Sequence, residues 1–317
     1  MTQDPPIGGI IPLDGAAPEL AYPGLSPQLL ARVKQLWSAA GMDFDNHWRL
    51  GLRSLPGFRA LPRIDRATSS TDVDLVFLFD QCVIWVRALQ AAADLGRQQQ
   101  IDGLTGAQGH GLAALSARLT EQLAALRLLA LTDLPMPAMQ IARAVSEDVD
   151  MTLVLLIRRK LADRFAECRS VEEASAFWRR HIAGGRAFRS ISEKLYTVGI
   201  DHSADTDYAK WRKSVLTTLG AAVHSNALSS GPAKRGEGNV LLNGDSLHFA
   251  TFRMHELCAF AQLVAPDLTG ALKAAAKCRH SASPLAALAA PMNAILVNQI
   301  PSLSAPATGA DQAARRH

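Results

Sequence analysis

The pattern of apolar and polar positions predicts helices along most of this chain, and the clearest of them runs from Met139 to Lys160. Successive residues in a helix are about 100° apart around its axis. One side of this segment is therefore apolar, through Ile141, Val145, Thr152, Leu155 and Leu156. Residues 151–157 are apolar on all sides, which is typical of a helix enclosed by its neighbours. We expect this segment to be the central helix on which the others pack.

Apolar stripes, caps and breaks predict further helices in the rest of the chain. They lie at about 26–40, 73–98, 112–131, 171–182, 188–198, 207–229 and 246–264. Short connections favour antiparallel neighbours. The predicted fold is thus all-α, an antiparallel bundle of about eight helices in one domain at 25–300, with its core at about 73–265. Residues 1–24 and 301–317 are predicted to be a flexible arm and tail, and the Gly-rich segment 103–111 a hinge or turn.

Composition narrows the class of protein only a little. Hydrophobic residues make up 48% of the 317 residues, and the formal charge of +4 permits an anionic partner without identifying one. The N-terminus lacks a secretory signal, and the apolar segment 73–89 is interrupted by Asp80 and Arg87, so we expect a cytoplasmic protein without a membrane span. We expect no cofactor. Asp80 needs a buried partner, which is an arginine or amide from another helix if its role is structural.

A polar stripe lies opposite the apolar side of the central helix and carries Arg143, Glu147 and Asp150. The helix that begins near Tyr208 has a similar stripe, formed by Lys213, Thr217, Gly220 and His224. If the two stripes face each other, they form a polar seam. The candidate catalytic residues are then His224 as acid or base, Arg143 as anion stabiliser and Glu147 as orienting carboxylate, with Asp150, Lys213 and Thr217 as substrate-binding candidates. The alternatives are two stripes that face water, or a buried structural ionic network.

Two other groups of residues are candidates for binding. Basic residues near helix ends are candidates for a nucleic-acid patch, although cations are also favoured there by the helix dipole: Arg158, Arg159, Lys160, Arg179, Arg180, Lys234 and Arg235. His248, His255 and Cys258 share a helix, but two helical turns separate the histidines, and zinc ligands are usually closer. We therefore expect no metal site.

Three segments carry a resemblance to known proteins: AMQIARAVSEDVDMTLVLLI, LADRFAECRSVEEASAFW and YAKWRKSVLTTLGAAVHSNA. Together they resemble uncharacterised all-helical bacterial domains with Arg-x-x-x-Glu on one helix and His at the end of a later one. That resemblance covers residues 125–265 and directs attention to Arg143, Glu147 and His224. A weaker resemblance is to the HEPN helical bundles, many of them ribonucleases of toxin and phage-defence systems. Here Arg212 and His224 are twelve residues apart, whereas that family places its Arg and His four to six residues apart.

These observations favour a regulatory or partner-binding helical protein, compatible with a homo-oligomer or a protein partner. The alternative is an RNA- or nucleotide-acting enzyme of a HEPN-like defence or toxin type. Whether the protein is an enzyme depends on whether His224 meets Arg143 and Glu147.

Overall fold

Helices form nearly all the regular structure of this protein, as the sequence predicts. The computed structural model describes residues 18–54, 72–99, 103–132, 134–223, 243–277 and 284–304, and these ranges contain no strand. The α-helices are α1 Pro18–Ala21, α2 Pro27–Ala39, α3 Phe44–Arg53, α4 Val73–Gln99, α5 Gly106–Leu131, α6 Pro135–Ile157, α7 Arg159–Glu167, α8 Val171–His181, α9 Arg186–Tyr196, α10 Asp207–Val223, α11 Asn243–Val264, α12 Pro266–Lys277 and α13 Ala289–Ser304. The all-α class is confirmed, and the chain is divided into more helices than the eight or so expected.

Four long helices, α4, α5, α6 and α11, form the centre of the fold. α4 and α5 are antiparallel, since Asp80 contacts Arg127 near the end of α5 while Arg97 contacts His110 near its start. α5 and α6 are also antiparallel. α11 packs between α4 and α6 and closes the bundle. The apolar faces of these helices supply most of the core, because each is buried against two neighbours.

The fourth bundle helix, α11, runs in the same direction as α6. Arg253 of α11 pairs with Asp150 of α6, and Asp267, just beyond α11, pairs with Arg159, just beyond α6. The chain returns to the start of the bundle through α7 to α10, which pack on one side of it. The expected antiparallel arrangement therefore holds for α4, α5 and α6 but not for α11.

The predicted central helix is two helices. α6 ends at Ile157, and Arg158 adopts an extended backbone with φ −118° and ψ 91° before α7 begins at Arg159. The break turns Leu161 of α7 into the core, beside α5. As predicted, the second half of α6 is enclosed, since residues 151–156 are all buried, and the helix packs against α5, α7, α9, α10 and α11.

The Gly-rich segment 103–111, predicted to be a hinge or turn, forms a turn only at residues 103–105 and is helical from Gly106. Thr105 caps α5 by accepting from the backbone N–H of Gln108, whose side chain accepts from the backbone N–H of Thr105. Gly111 lies close to α6, since a Cβ there would be 2.8 Å from Cδ1 of Leu155. The missing side chain thus permits the close approach of α5 and α6.

The N-terminal helices cover one side of α4 through aromatic side chains that contact one another, namely Tyr22, Trp37, Phe44, Trp48 and Phe77. Residues 18–24 of the predicted flexible arm are part of this layer, and the Tyr22 ring is buried in it. Residues 301–304 of the predicted tail belong to α13. Residues 1–17 and 305–317 lie outside the described residues.

One helix among the described residues, Val73–Arg97, is long and apolar enough to cross a membrane by length and composition. Its most apolar window is 72% buried inside the fold, as expected for the core helix of a bundle. Asp80, in the middle of this helix, has a structural partner. Nε of Arg127 donates to its carboxylate at 2.8 Å, and the hydroxyl of Tyr22 donates at 2.6 Å.

Candidate functional site

The polar stripes of α6 and α10 face each other at Arg143. Its Nε donates to Oε1 of Glu147 at 3.0 Å, one turn along α6, and its Nη1 donates to the carbonyl of Leu216 on α10 at 2.7 Å. A Cβ at Gly220 would lie 3.0 Å from that Nη1, so the glycine makes room for the guanidinium. The structure thus brings Arg143 and Glu147 to α10. His224 lies outside the described residues, and its distance from this pair stays a prediction.

Asp150 is buried below this seam. Its carboxylate pairs with Arg212 of α10 and, at 2.5 Å, with Nη2 of Arg253 of α11. The prediction places Asp150 in a cleft with Lys213, the residue next to Arg212. Consecutive helical residues are about 100° apart, so Lys213 turns to the surface when Arg212 turns inward. The carboxylate of Asp150, which was a candidate for substrate binding, is therefore already paired with two guanidinium groups.

Arg253 extends this ionic network to Glu256, which also accepts from the Tyr208 hydroxyl. Burial lowers the pKa of Arg253, but Glu256 and Asp150 outweigh it and raise that pKa above its ordinary value. The Arg212 guanidinium lies over the Phe188 ring at 4.0 Å from its centroid. Two arginines thus balance two carboxylates, and the network joins α6, α10 and α11. Arg253 and Glu256 were not among the predicted residues, although a charged pair three residues apart in an apolar helix is a signal for such a network.

The other two predicted substrate-binding residues, Lys213 and Thr217, are exposed and line a wide groove of about 1490 Å³ between α9 and α10. The Thr217 hydroxyl donates to the backbone carbonyl of Lys213 at 2.8 Å. Arg143 and Gly220 line the same groove. We call it the wide groove. It places three of the six candidate residues, Arg143, Lys213 and Thr217, on one surface.

A second groove, of about 720 Å³, lies where the start of α7 meets the end of α8 and the start of α9. We call it the basic groove. Its cationic side chains are Arg158, Arg159, Lys160, Arg164, Arg180, Arg186 and Arg189. The only carboxylate that lines it in the described part of the chain is Glu193, which pairs with Arg158 at 3.4 Å. Asp267 pairs with Arg159 from outside the lining, at 3.7 Å. The basic groove therefore carries a strong excess of positive charge.

The predicted basic patch is partly reproduced in this groove. Arg158, Arg159, Lys160 and Arg180 meet there, although α7 and α8 are separate helices. Lys234 and Arg235 lie outside the described residues. Arg179 does not line the groove, whereas Arg164 of α7 and Arg186 and Arg189 of α9 line it and were not predicted, because each is an isolated cation in the sequence.

His181 reports on the charge of the basic groove. Desolvation lowers its pKa, and the neighbouring guanidinium groups of Arg180 and Arg164 lower it further. Desolvation and the two fixed positive charges thus both favour the neutral imidazole.

Cys258 and His255, two of the three residues considered for a metal, have other partners. Sγ of Cys258 donates to Oδ1 of Asn293 at 2.8 Å, and Nδ1 of His255 hydrogen-bonds to the Thr251 carbonyl at 2.9 Å. Burial raises the pKa of the Cys258 thiol well above its ordinary value, which disfavours the thiolate that a metal needs. In the described ranges, no group of three or more His, Cys, Asp or Glu side chains is arranged to hold a metal ion.

Comparison with known proteins returned no relative: no family model, curated protein or solved structure matches this chain. The grooves themselves are therefore the basis for a function.

Proposed function

We propose that this chain is a non-catalytic, cytoplasmic protein that binds nucleic acid through the basic groove. By this binding the protein regulates or recruits the nucleic acid. The observation that carries the proposal is the seven cationic side chains of this groove, set against the single carboxylate of Glu193. Nucleic-acid backbones carry one negative charge per phosphate, and lysine and arginine neutralise them. We also propose that the protein is bacterial, as the family resemblance implies.

The charge of the groove is local rather than a property of the whole chain. The full sequence holds 33 Lys and Arg residues against 29 Asp and Glu, which is close to balance. In the basic groove, Lys160, Arg164, Arg180 and Arg189 have no ion-pair partner within the part of the chain that the structure describes. They are exposed and available to phosphate oxygens. Desolvation is the main cause of the lowered pKa of His181, and the guanidinium groups of Arg180 and Arg164 add to it.

Fluorescence anisotropy with labelled oligonucleotides tests the proposal. Affinity should fall as salt increases, with log K changing by about −0.7 per phosphate contacted for each unit of log salt concentration on a single strand. The double variant Lys160→Glu, Arg180→Glu should weaken binding strongly and reduce this slope. Its matched control, Lys273→Glu with Lys277→Glu on α12, makes the same charge change outside the groove and should retain more of the affinity. Equal loss in both doubles, or no binding at low salt, would contradict the proposal.

An RNA-acting enzyme is the second candidate, favoured by the position of Arg143 at the edge of the wide groove and its pairing with Glu147. In this proposal Arg143 stabilises a phosphate and His224 transfers the proton. Gel analysis of RNA recovered from the binding mixture shows whether it stays intact. Cleavage that His224→Ala abolishes, with unchanged helical circular dichroism, selects the enzyme; intact RNA selects the binding protein. Light scattering on the same sample measures the expected self-association.

A further inference from the structure

The basic groove and the wide groove share a wall. Arg189 and Glu193 of α9 line both of them, and α9 forms the ridge between the two. Phosphates held in the basic groove are therefore one helix away from the wide groove.

The wide groove is lined by phenyl and phenol rings, whereas the one ring in the described lining of the basic groove is the His181 imidazole. Phe188, Tyr196 and His202 line it together with the cations Lys210 and Lys213. Tyr196, the last residue of α9, is 70% exposed. The phenol ring is thus free to receive a flat partner on its face. An exposed aromatic ring next to a cationic groove is the combination by which proteins hold unpaired bases.

Trp178 provides a second exposed ring on the same face. It is 38% exposed and lines a smaller pocket of about 490 Å³ together with Arg143 and Gly220. Arg143 and Gly220 also line the wide groove, so the two pockets adjoin at the α6–α10 seam. Aromatic surface therefore lies on both sides of Arg143, with Tyr196 in one pocket and Trp178 in the other.

We infer that the ligand is a single strand of nucleic acid, whose unpaired bases stack on Tyr196 and Trp178 while its phosphates lie along the basic groove. This inference rests on the proposed function and specifies its ligand. A duplex presents phosphates equally well, but its bases are already paired and stacked and cannot lie on a protein ring. The aromatic side chains therefore separate single strands from duplexes, whereas the cations alone do not.

The first test compares four ligands by anisotropy or competition: oligo-dT, oligo-U, a duplex of the same length and inorganic polyphosphate. Stacking on an aromatic ring contributes about 1–3 kcal/mol per base, so Tyr196→Ala should weaken oligo-dT or oligo-U binding by about fivefold or more. Polyphosphate binding should change by less than about twofold, since it has no bases to stack. Tyr196→Phe keeps the ring and should retain the affinity. Leu128→Ala removes an exposed apolar side chain from α5, away from both grooves, and is the control.

The second test uses the intrinsic fluorescence of tryptophan. Trp37, Trp48 and Trp85 are buried, whereas Trp178 and Trp211 are 38% and 40% exposed. Trp211 packs against Phe252 and does not line either groove. Oligo-dT should quench the emission of the wild type, Trp178→Phe should remove most of that quenching, and Trp211→Phe should preserve it.

The outcomes separate the inference from the proposed function. If single strands bind, and the Lys160→Glu, Arg180→Glu double loses them while Tyr196→Ala binds with wild-type affinity and Trp178→Phe is quenched as strongly as wild type, the stacking inference is overturned and the binding function stands. Equal affinity for duplex and single strand, with no effect of Tyr196→Ala, overturns it as well. If no nucleic acid or polyphosphate binds, both are overturned.

Discussion

Replacement of Asp148 by asparagine should stabilise the protein at neutral pH. Asp148 is buried on α6, and Nε of Arg118, on a largely exposed side chain, lies 2.9 Å from its carboxylate. Burial raises the pKa of Asp148 from 3.8 to about 6, while Arg118 and a hydrogen bond from Gln122 oppose the rise. At neutral pH, Asp148 is therefore charged in a buried environment that favours its neutral, protonated form.

The size of the effect follows from the pKa. One pKa unit corresponds to about 1.4 kcal/mol, so a rise from 3.8 to about 6 corresponds to about 3 kcal/mol. The folded state binds the proton more tightly than the unfolded state. This stabilisation is fully present below pH 3.8 and is lost as pH rises through about 6. Asparagine is neutral at every pH, and Asp148→Asn should therefore be more stable than wild type by up to about 3 kcal/mol at pH 7 and nearly equal to it near pH 4.

Urea unfolding of wild type and Asp148→Asn is followed by circular dichroism between about pH 4 and pH 7.5. The difference between their free energies of unfolding at each pH isolates Asp148, because the titration of the other groups is common to both proteins. A second variant, Arg118→Gln, removes the cation that holds the Asp148 pKa down and should steepen the pH dependence of the otherwise wild-type protein. A free-energy difference between wild type and Asp148→Asn that stays constant across this range would refute the reasoning. So would an Asp148→Asn protein that is less stable than wild type at pH 7.

Two further predictions concern the core. Asp80→Asn should destabilise the fold by about 3–5 kcal/mol in urea unfolding, because it leaves the buried Arg127 guanidinium without its counter-charge; a loss below about 1 kcal/mol would show that the charge is compensated elsewhere. Gly51→Ala places a Cβ 2.4 Å from Cγ2 of Ile84 and should cost about 1–3 kcal/mol. Gly96→Ala, where nothing lies within 4 Å, should gain about 0.5–1 kcal/mol in thermal unfolding, and the opposite order of the two variants would contradict this packing.

Local patterns along the sequence were enough to identify the main helices. α4 runs from Val73 to Gln99, against a predicted 73–98, because a long apolar segment between a cap and a polar end has few alternatives. The break at Arg158 was not predictable, since a helix and a sharp turn between two helices have the same apolar positions on either side. The direction of α11 depends on how α7 to α10 cross the bundle, which no local pattern encodes.

The candidate site was predictable only where its partners are close in sequence. Arg143 and Glu147 are four residues apart, and helical spacing alone brings them together. Asp150 pairs with Arg253, which lies 103 residues further along the chain. Its other partner is Arg212 rather than Lys213 because of the rotation of α10 about its axis. The basic groove is a similar case, because its cations come from three helices that only packing brings together.

The position of α11 also has a consequence during synthesis of the chain. α4, α5 and α6 precede it, yet the side of the bundle that α11 covers stays without its partner until residue 264 has been made. Ribosomes add about 5–20 residues per second, so the hundred or so residues after α6 take about 5–20 s. For that interval the nascent protein presents an incomplete apolar surface to the cell, and chaperone binding at this stage is the expected safeguard against aggregation.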